Sequence, residues 1–277
     1  MKKHRSFRNL FESEKPVIGC IHLLPLPGAP LYDGSMENIY RKALEEVAIL
    51  VKGGAHGLIV ENFRDKPFFP GRLPAETVAS LAAVGREIIR KARVPVGINA
   101  LRNDAESGIA IATAIGADFI RVNIHMNAVV SEQGIIQGAS HRTLRLRSAL
   151  KSEVLIFADV GVKHAAPLAD RGLAIETRDL TERGLADAII VSGEMTGEET
   201  KASDVDVVRQ HTDLPVLIGS GIAPENLHQV YDKADGFIVG SYFKKAGRGD
   251  NFVERSRVKR FMDKIRELNQ RRRNLLR

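Results

Sequence analysis

The chain has 277 residues, of which 44% are hydrophobic and 27% are charged, and this length and composition can form one large core. Its single cysteine, Cys20, excludes a disulfide framework and a cysteine metal cluster. No apolar run is long enough to span a bilayer, and no apolar secretory segment follows the basic start, so we expect a cytoplasmic protein. The net charge of +7 belongs to the two ends, because residues 1–15 carry +3, residues 255–277 carry +8 and the stretch between them carries −4.

Strand-like and helix-like segments alternate eight times along the chain. The first half contains, in order, Val17–His22, Met36–Lys52, Gly57–Glu61, Ala75–Ala92, Val94–Ala100, Asp104–Ile115, Phe119–Asn123 and His141–Leu150. The second half contains Leu155–Val160, Leu173–Arg183, Ala188–Val191, Asp204–His211, Val216–Gly219, Pro224–Tyr231, Phe237–Val239 and Arg255–Arg271. Apolar strands covered by amphipathic helices indicate a parallel sheet, and eight such units predict an α/β fold of the (β/α)8 TIM-barrel type; an open doubly wound sheet is the alternative.

The predicted barrel occupies residues 16–254, between a basic arm at 1–15 and a basic segment at 255–277 that we interpret as the eighth barrel helix plus a tail. Its helix-to-strand turns are short, whereas long loops follow the strands, and this asymmetry predicts an active site at the carboxyl ends of the strands. The loop at 124–140 mixes apolar and amide residues, and we expect a lid or a subunit contact there, so a homo-oligomer is possible.

Two consecutive strands near the end of the chain stop at a glycine-serine pair. The seventh strand is followed by Gly219, Ser220 and Gly221, and the eighth by Gly240 and Ser241. Glycine lets the backbone approach a ligand, and the loops after the seventh and eighth strands of such barrels commonly hold a phosphate. The sequence therefore predicts a barrel of the phosphate-binding type, with Gly193 and Thr196 of the sixth-strand loop completing the cradle.

Polar side chains also close four other strands. They are Glu61, Asn99, Asn123 and Asp159, at the ends of the second to fifth strands. If they point inward, they meet at one mouth, where they can relay protons, bind sugar hydroxyls or hold a hard cation such as Mg²⁺ on Glu61 and Asp159. A polar lid that only hydrates the barrel top is the alternative.

His22 and Lys163 are further candidates at this mouth. His22 stands at the root of a proline-rich first loop and can act as a general acid or base, although a packed, hydrogen-bonded histidine is the alternative. Lys163 follows Asp159 by four positions, which favours a role in orientation or charge stabilisation over a Schiff base. No dinucleotide fingerprint, Walker A sequence, zinc-protease helix or nucleophile elbow is found, so no cofactor is evident.

Three segments in this order resemble the BtpA/SgcQ family. They are the proline-rich Gly19–Gly28, Ala158–His164 and Val191–Gly197, and the resemblance extends from about Pro16 to Phe243. It implies a TIM barrel. It also implies two associations, one with photosystem I biogenesis at membranes and one with sugar metabolism, and it carries over no catalytic residues.

Two functions remain open at this point. The first is an enzyme that acts on a phosphorylated sugar or nucleoside-derived phosphate by lyase, isomerase or glycosidic-bond chemistry. The second is a non-enzymatic assembly or stability factor for a membrane complex, docked through the basic tail. That tail could attract an anionic membrane or nucleic acid, although no aromatic residues interleave its arginines to stack on bases. Polar residues at four consecutive strand ends favour the enzyme.

Overall fold

The computed structural model describes residues 6–161, 164–193 and 200–275. Its strands are β1 (Val17–His22), β2 (Gly57–Glu61), β3 (Val96–Asn99), β4 (Phe119–Val122), β5 (Ala128–Ser131), β6 (Gly134–Gln137), β7 (Leu155–Val160), β8 (Ala165–Pro167), β9 (Ala188–Val191), β10 (Val216–Ile218) and β11 (Gly236–Val239). Its α-helices are α1 (Phe7–Leu10), α2 (Met36–Lys52), α3 (Ala75–Ala92), α4 (Ala105–Ile115), α5 (Ser140–Ala149), α6 (Leu173–Arg178), α7 (Ala202–Arg209), α8 (Leu227–Val230) and α9 (Arg255–Leu275).

Eight strands close into a parallel barrel in the order β1-β11-β10-β9-β7-β4-β3-β2. The predicted TIM barrel is therefore confirmed, and the open sheet is excluded because β1 pairs with both β2 and β11. Four of the eight predicted strands match the structure, and the other four differ from it by at most two residues at either end.

Side-chain caps stand at the starts of α2 and α4. The Ser35 hydroxyl accepts a hydrogen bond from the Asn38 amide at the start of α2, and the Asp104 carboxylate accepts one from the Ser107 amide at the start of α4. The predicted helix Pro224–Tyr231 is shorter in the structure, where Leu227–Val230 is α-helical.

Three strands lie outside the barrel and were not predicted. β5 and β6 form an antiparallel hairpin within the loop at 124–140, and β8 pairs antiparallel with β5 from the loop after β7. These strands make a small sheet in the order β6-β5-β8, beside the carboxyl end of β7. The loop in which we expected a lid or a subunit contact thus contains a hairpin that pairs with the loop after β7.

The barrel interior is apolar at its amino end. Phe119 and Phe157 stack with ring centroids 4.4 Å apart, and Phe7 and Phe11 of the N-terminal segment pack against them from outside the strands. The described part of the predicted basic arm therefore supplies the floor of the barrel. Both of its phenylalanines are buried in the same apolar cluster as Ile59.

The C-terminal helix α9 covers the barrel as its eighth helix. Val258, Phe261 and Ile265 are buried on its inner face, and its outer face carries arginines and lysines. Among the described residues, no helix combines the length and the apolar character needed to cross a bilayer.

We expect Gly97→Ala to destabilise the fold by about 1–3 kcal/mol, because overpacking a filled core forces side chains out of position. A Cβ atom at Gly97 would lie 2.1 Å from Cε2 of Phe119, a ring already stacked inside the barrel. Urea unfolding monitored by circular dichroism measures the change.

Gly71→Ala is the matched control, because a Cβ there meets no heavy atom within 4 Å. We expect its free energy of unfolding to stay within about 0.5 kcal/mol of the parent's. Equal losses in the two variants would contradict the packing argument.

Candidate active site at the barrel mouth

The two glycine-serine ends lie side by side. Residues 219–221 follow β10 and residues 240–241 follow β11, and both segments line one cavity of about 210 Å³. His22 and Glu61 line the same cavity from the other side. Of the four polar strand ends, Glu61 lines this cavity together with the two turns, whereas Asn99, Asn123 and Asp159 do not.

The serine of the first turn ties two loops together. Ser220 Oγ accepts a hydrogen bond of 2.8 Å from the Gly193 amide, and Thr200 Oγ1 donates to the Ser220 carbonyl at 3.1 Å. Gly193, predicted as part of the phosphate cradle, is thus fixed against the β10 loop. Thr196, predicted for the same cradle, lies outside the described residues, as does Lys163.

Packing alone requires a glycine at position 219. A Cβ atom at this position would lie 2.5 Å from Cγ2 of Ile190 and 2.7 Å from Oγ of Ser192. The position points into the barrel, where a neighbouring strand already fills the space. Gly240 is less crowded, because a Cβ there would lie 3.5 Å from His22 Nε2.

Arg257 also lines this cavity and belongs to the segment that the sequence analysis interpreted as a basic helix plus a tail. Its Nε atom donates to the Tyr242 carbonyl at 2.5 Å, and its guanidinium lies 4.4 Å from the centre of the Tyr242 ring. These contacts hold a positive charge at the cavity. Its position at the start of the last helix, directly after the eighth-strand loop, was the available signal.

The four polar strand ends converge inside the mouth, and all four side chains are buried. Asn99 Nδ2 donates to Glu61 Oε1 at 3.3 Å, and Asn123 Nδ2 donates to Asp159 Oδ2 at 2.8 Å. They form two carboxylate-amide pairs, on β2–β3 and at the ends of β4 and β7.

Arg121 joins these two pairs and was missed by the sequence analysis. Its Nε and Nη2 atoms donate to the two Asp159 oxygens at 3.0 and 2.9 Å, and its Nη1 lies 3.7 Å from Glu61 Oε1. Burial lowers the pKa of Arg121, but the charges of Asp159 and Glu61 outweigh burial, so the pKa lies above its ordinary value. The signal was its spacing, two residues before the inward-facing Asn123 on the same strand.

The guanidinium also bears on the predicted magnesium site. Arg121 contacts both carboxylates that were proposed as ligands, Glu61 and Asp159, and already supplies the positive charge between them. The described residues contain no group of three histidine, cysteine or acidic side chains arranged to hold a metal ion. The donor set does not fit a cation bound between the two carboxylates.

His22 is held on two sides. Its Nδ1 lies 2.8 Å from the Gly249 carbonyl, and its ring stacks on Phe63 with centroids 3.9 Å apart. Because a carbonyl only accepts, Nδ1 carries a proton, and Nε2 faces Glu61 Oε2 at 3.6 Å. An oriented imidazole beside a carboxylate is an arrangement that can move protons.

A second opening of the mouth, of about 430 Å³, exposes the other side of these groups. Glu61, Asn99 and Asn123 line it together with Arg102 and Glu132. Burial lowers the pKa of Arg102, and the charges of Glu132 and Asp159 oppose that shift. Glu61 borders both this opening and the glycine-serine cavity, so a ligand in either one reaches it.

A closed (β/α)8 barrel with a buried charged network at its carboxyl end defines the class of this protein. The family model described as the BtpA family matches residues 13–267, and the chain belongs to that family. The chain is 42% identical over 256 residues to an uncharacterised protein of Thermococcus kodakarensis, which covers 92% of this chain and 97% of that protein. It is 40% identical over 258 residues to the photosystem I biogenesis protein BtpA of Synechocystis, covering 93% of this chain and 90% of that protein.

Among solved structures, the thiamine phosphate pyrophosphorylase of Pyrococcus furiosus is similar with a TM-score of 0.57. The match covers 92% of this chain and 96% of the pyrophosphorylase at 14% sequence identity. At that identity the likeness establishes the shared barrel fold alone.

We expect Arg121→Met to cost about 3–5 kcal/mol of unfolding free energy, because removing one partner leaves a buried charge uncompensated. Asp159 would lose both guanidinium hydrogen bonds, and Glu61 would lose its nearby positive charge. Urea unfolding of the parent and the variant measures the loss.

The double variant Arg121→Met, Asp159→Leu should cost less than the sum of the two single variants, because it removes both charges of the pair. Strictly additive losses would show that the two side chains are not energetically coupled.

Proposed function

We propose that this protein is an enzyme that acts on a phosphorylated sugar or a nucleoside-derived phosphate. The observation that carries the proposal is that one cavity joins the two glycine-serine turns and Arg257 to Glu61 and His22. Backbone amides and a guanidinium are suited to an anion, and they lie beside an oriented imidazole-carboxylate pair. A phosphate held at the turns places the rest of the ligand against groups that can transfer protons.

In this proposal, the residues of the barrel mouth have different roles. Glu61 and His22 move the proton, since their side chains face each other across 3.6 Å and both line the cavity. Asp159 accepts three hydrogen bonds from Arg121 and Asn123, so its role is to position those side chains. Asn99 and Asn123 orient hydroxyl groups. This chemistry suits a lyase, an isomerase or cleavage of a glycosidic bond, all of which need a proton moved beside a held sugar.

We expect Arg257→Gln to weaken binding of inorganic phosphate about tenfold to a hundredfold, because charged hydrogen bonds contribute about 1.5–3 kcal/mol. Isothermal titration calorimetry measures the affinity. Arg255→Gln is the matched control, since Arg255 is exposed in the same turn of α9 and does not line the cavity. If phosphate does not bind the parent, or if both variants weaken it equally, the phosphate site is wrong.

The variant Glu61→Gln tests catalysis separately from phosphate binding. It should retain most of the phosphate affinity but should not convert any pentose or hexose phosphate that the parent converts. Nuclear magnetic resonance measures the conversion. A variant that converts the substrate at the parent's rate would remove Glu61 from the mechanism.

A role in assembling a membrane complex is the second candidate, favoured by the name of the Synechocystis relative. The cations proposed for docking are partly neutralised, because Lys259, Arg260, Lys264, Arg266 and Arg271 each pair with an acidic side chain. Arg272 and Arg273 are exposed on the last turns of α9. They are the residues on which membrane attraction would depend.

For this candidate, the double charge reversal Arg272→Glu, Arg273→Glu should reduce flotation with vesicles that contain anionic lipid, because it reverses the sign of the exposed end. Removal of residues 255–277 is a poor test, since it strips buried Val258 and Phe261 from the core. Arg90→Glu, Lys91→Glu is the control, with the same charge change on exposed positions of α3. A parent that does not float, or equal losses in both variants, would exclude docking through this tail.

A further inference from the structure

A third cavity, of about 540 Å³, opens at the ends of β4, β7 and β9. Its inner wall is made by Asn123, Asp159 and Ser192, and Val129 of β5 and Ala165 of β8 line it from the small outer sheet. We call this space the hydroxyl compartment, and the cavity at residues 219–221 and 240–241 the phosphate compartment. The sequence analysis placed Asn123 and Asp159 at the mouth but did not distinguish this space from the phosphate compartment.

Two buried polar atoms in the hydroxyl compartment have no hydrogen-bond partner among the described residues: Asn123 Oδ1 and Ser192 Oγ. Their residues are 2% and 8% exposed. The Asn123 amide is fixed in orientation, because its Nδ2 donates to the Asp159 carboxylate, which only accepts. Its Oδ1 is therefore an acceptor that requires a donor. Leaving such atoms unsatisfied is costly, and a bound ligand removes the cost.

The charge of the compartment selects the kind of group that fits. Asp159, Asp170, Glu176 and Asp204 line it, and no lysine or arginine is among its described lining residues. Asp159 is neutralised by Arg121. Burial raises the pKa of Glu176, although the charge of Arg171 opposes that shift, so the negative charge of the space belongs mainly to Asp170 and Asp204. A second phosphate or a carboxylate would be repelled there. Neutral hydroxyl groups can donate to Asn123 Oδ1 and either donate to or accept from Ser192 Oγ.

The two compartments are adjacent. A Cβ atom at Gly219, which lines the phosphate compartment, would lie 2.7 Å from Oγ of Ser192 and 3.5 Å from Nη2 of Arg121. Ser192 itself lines the hydroxyl compartment. These contacts leave no room for a ligand between Gly219 and Ser192. The opening of about 430 Å³, however, shares Glu61 and Arg121 with the phosphate compartment and Asn123 with the hydroxyl compartment. One small molecule can therefore reach through that opening from the glycine-serine turns past Arg121 to Asn123.

We infer that the hydroxyl compartment binds the uncharged, hydroxyl-bearing part of the ligand whose phosphate occupies the phosphate compartment. This inference rests on the proposed function and narrows it. The substrate is a monophosphate of a polyhydroxylated molecule, and a bisphosphate or a phosphorylated acid is disfavoured because its second anion would face the acidic residues.

The test compares four probes by isothermal titration calorimetry: inorganic phosphate, ribose 5-phosphate, glucose 6-phosphate and ribulose 1,5-bisphosphate. At least one of the two sugar monophosphates should bind the parent about tenfold or more tightly than inorganic phosphate, the gain expected from about two new hydrogen bonds. The bisphosphate should bind no more tightly than that monophosphate.

Ser192→Ala separates a binding role from a structural one. Since Ser192 Oγ has no partner to lose among the described residues, the variant should unfold at the parent's urea midpoint and bind inorganic phosphate equally well. Its affinity for the sugar monophosphate should fall about fivefold to tenfold. Ser256→Ala, on the exposed first turn of α9, is the control and should bind every probe like the parent.

Asn123→Leu, which removes both polar atoms at similar size, should abolish the preference for the sugar monophosphate over inorganic phosphate. The inference is overturned if neither sugar monophosphate binds better than phosphate, if both variants keep the preference, or if the bisphosphate binds best. In each of these cases the phosphate site stands. If inorganic phosphate does not bind the parent at all, the proposed function fails and this inference fails with it.

Discussion

The buried ion pair between Arg121 and Asp159 is the interaction on which the barrel mouth depends. Removing a guanidinium from water is costly, and the cost is offset only when its hydrogen bonds and its charge are both met. Asp159 meets them with two hydrogen bonds, and Glu61 adds a second negative charge. The other polar groups of the mouth are connected to this pair. Asn123 donates to Asp159 itself, and Asn99 donates to Glu61, which lies beside Arg121.

This network makes the mouth rigid in a way that a ring of separate polar side chains would not be. Each carboxylate has its orientation set by a guanidinium or an amide, and the imidazole of His22 is set by the Gly249 carbonyl. The loop that carries Gly249 is anchored in turn by the fully buried Lys244, which donates to Glu46 of α2 at 2.8 Å. Burial lowers the pKa of Lys244, while the charge of Glu46 opposes that shift. Preorganised groups of this kind suit chemistry better than mobile ones.

The sequence predicted the frame well because the frame depends on local patterns. Apolar runs that end in glycine or polar residues define the strands, and serine or aspartate caps define helix starts. The N-terminal plug was missed because Phe7 and Phe11 stand in a charged stretch, and their partners Phe157 and Phe119 are distant in sequence. Within the site, Arg121 was missed because only the last residue of each predicted strand was considered. Its spacing of two residues from Asn123 places it on the same inward face of the strand.

Arg257 and Ser192 were missed for a different reason. Arg257 is one arginine among many in a basic helix, and although its position directly after the eighth-strand loop was a signal, it is the contacts with Tyr242 that hold it at the cavity. Ser192 differs from other loop serines only by a buried hydroxyl without a described partner, which no sequence pattern reports. The two residues lie on opposite sides of the Arg121 network. Arg257 lies beside the glycine-serine turns, and Ser192 lies beside acidic side chains. A ligand matched to that polarity carries its negative charge at one end and its hydroxyl groups at the other, and Glu61 and His22 stand at the charged end.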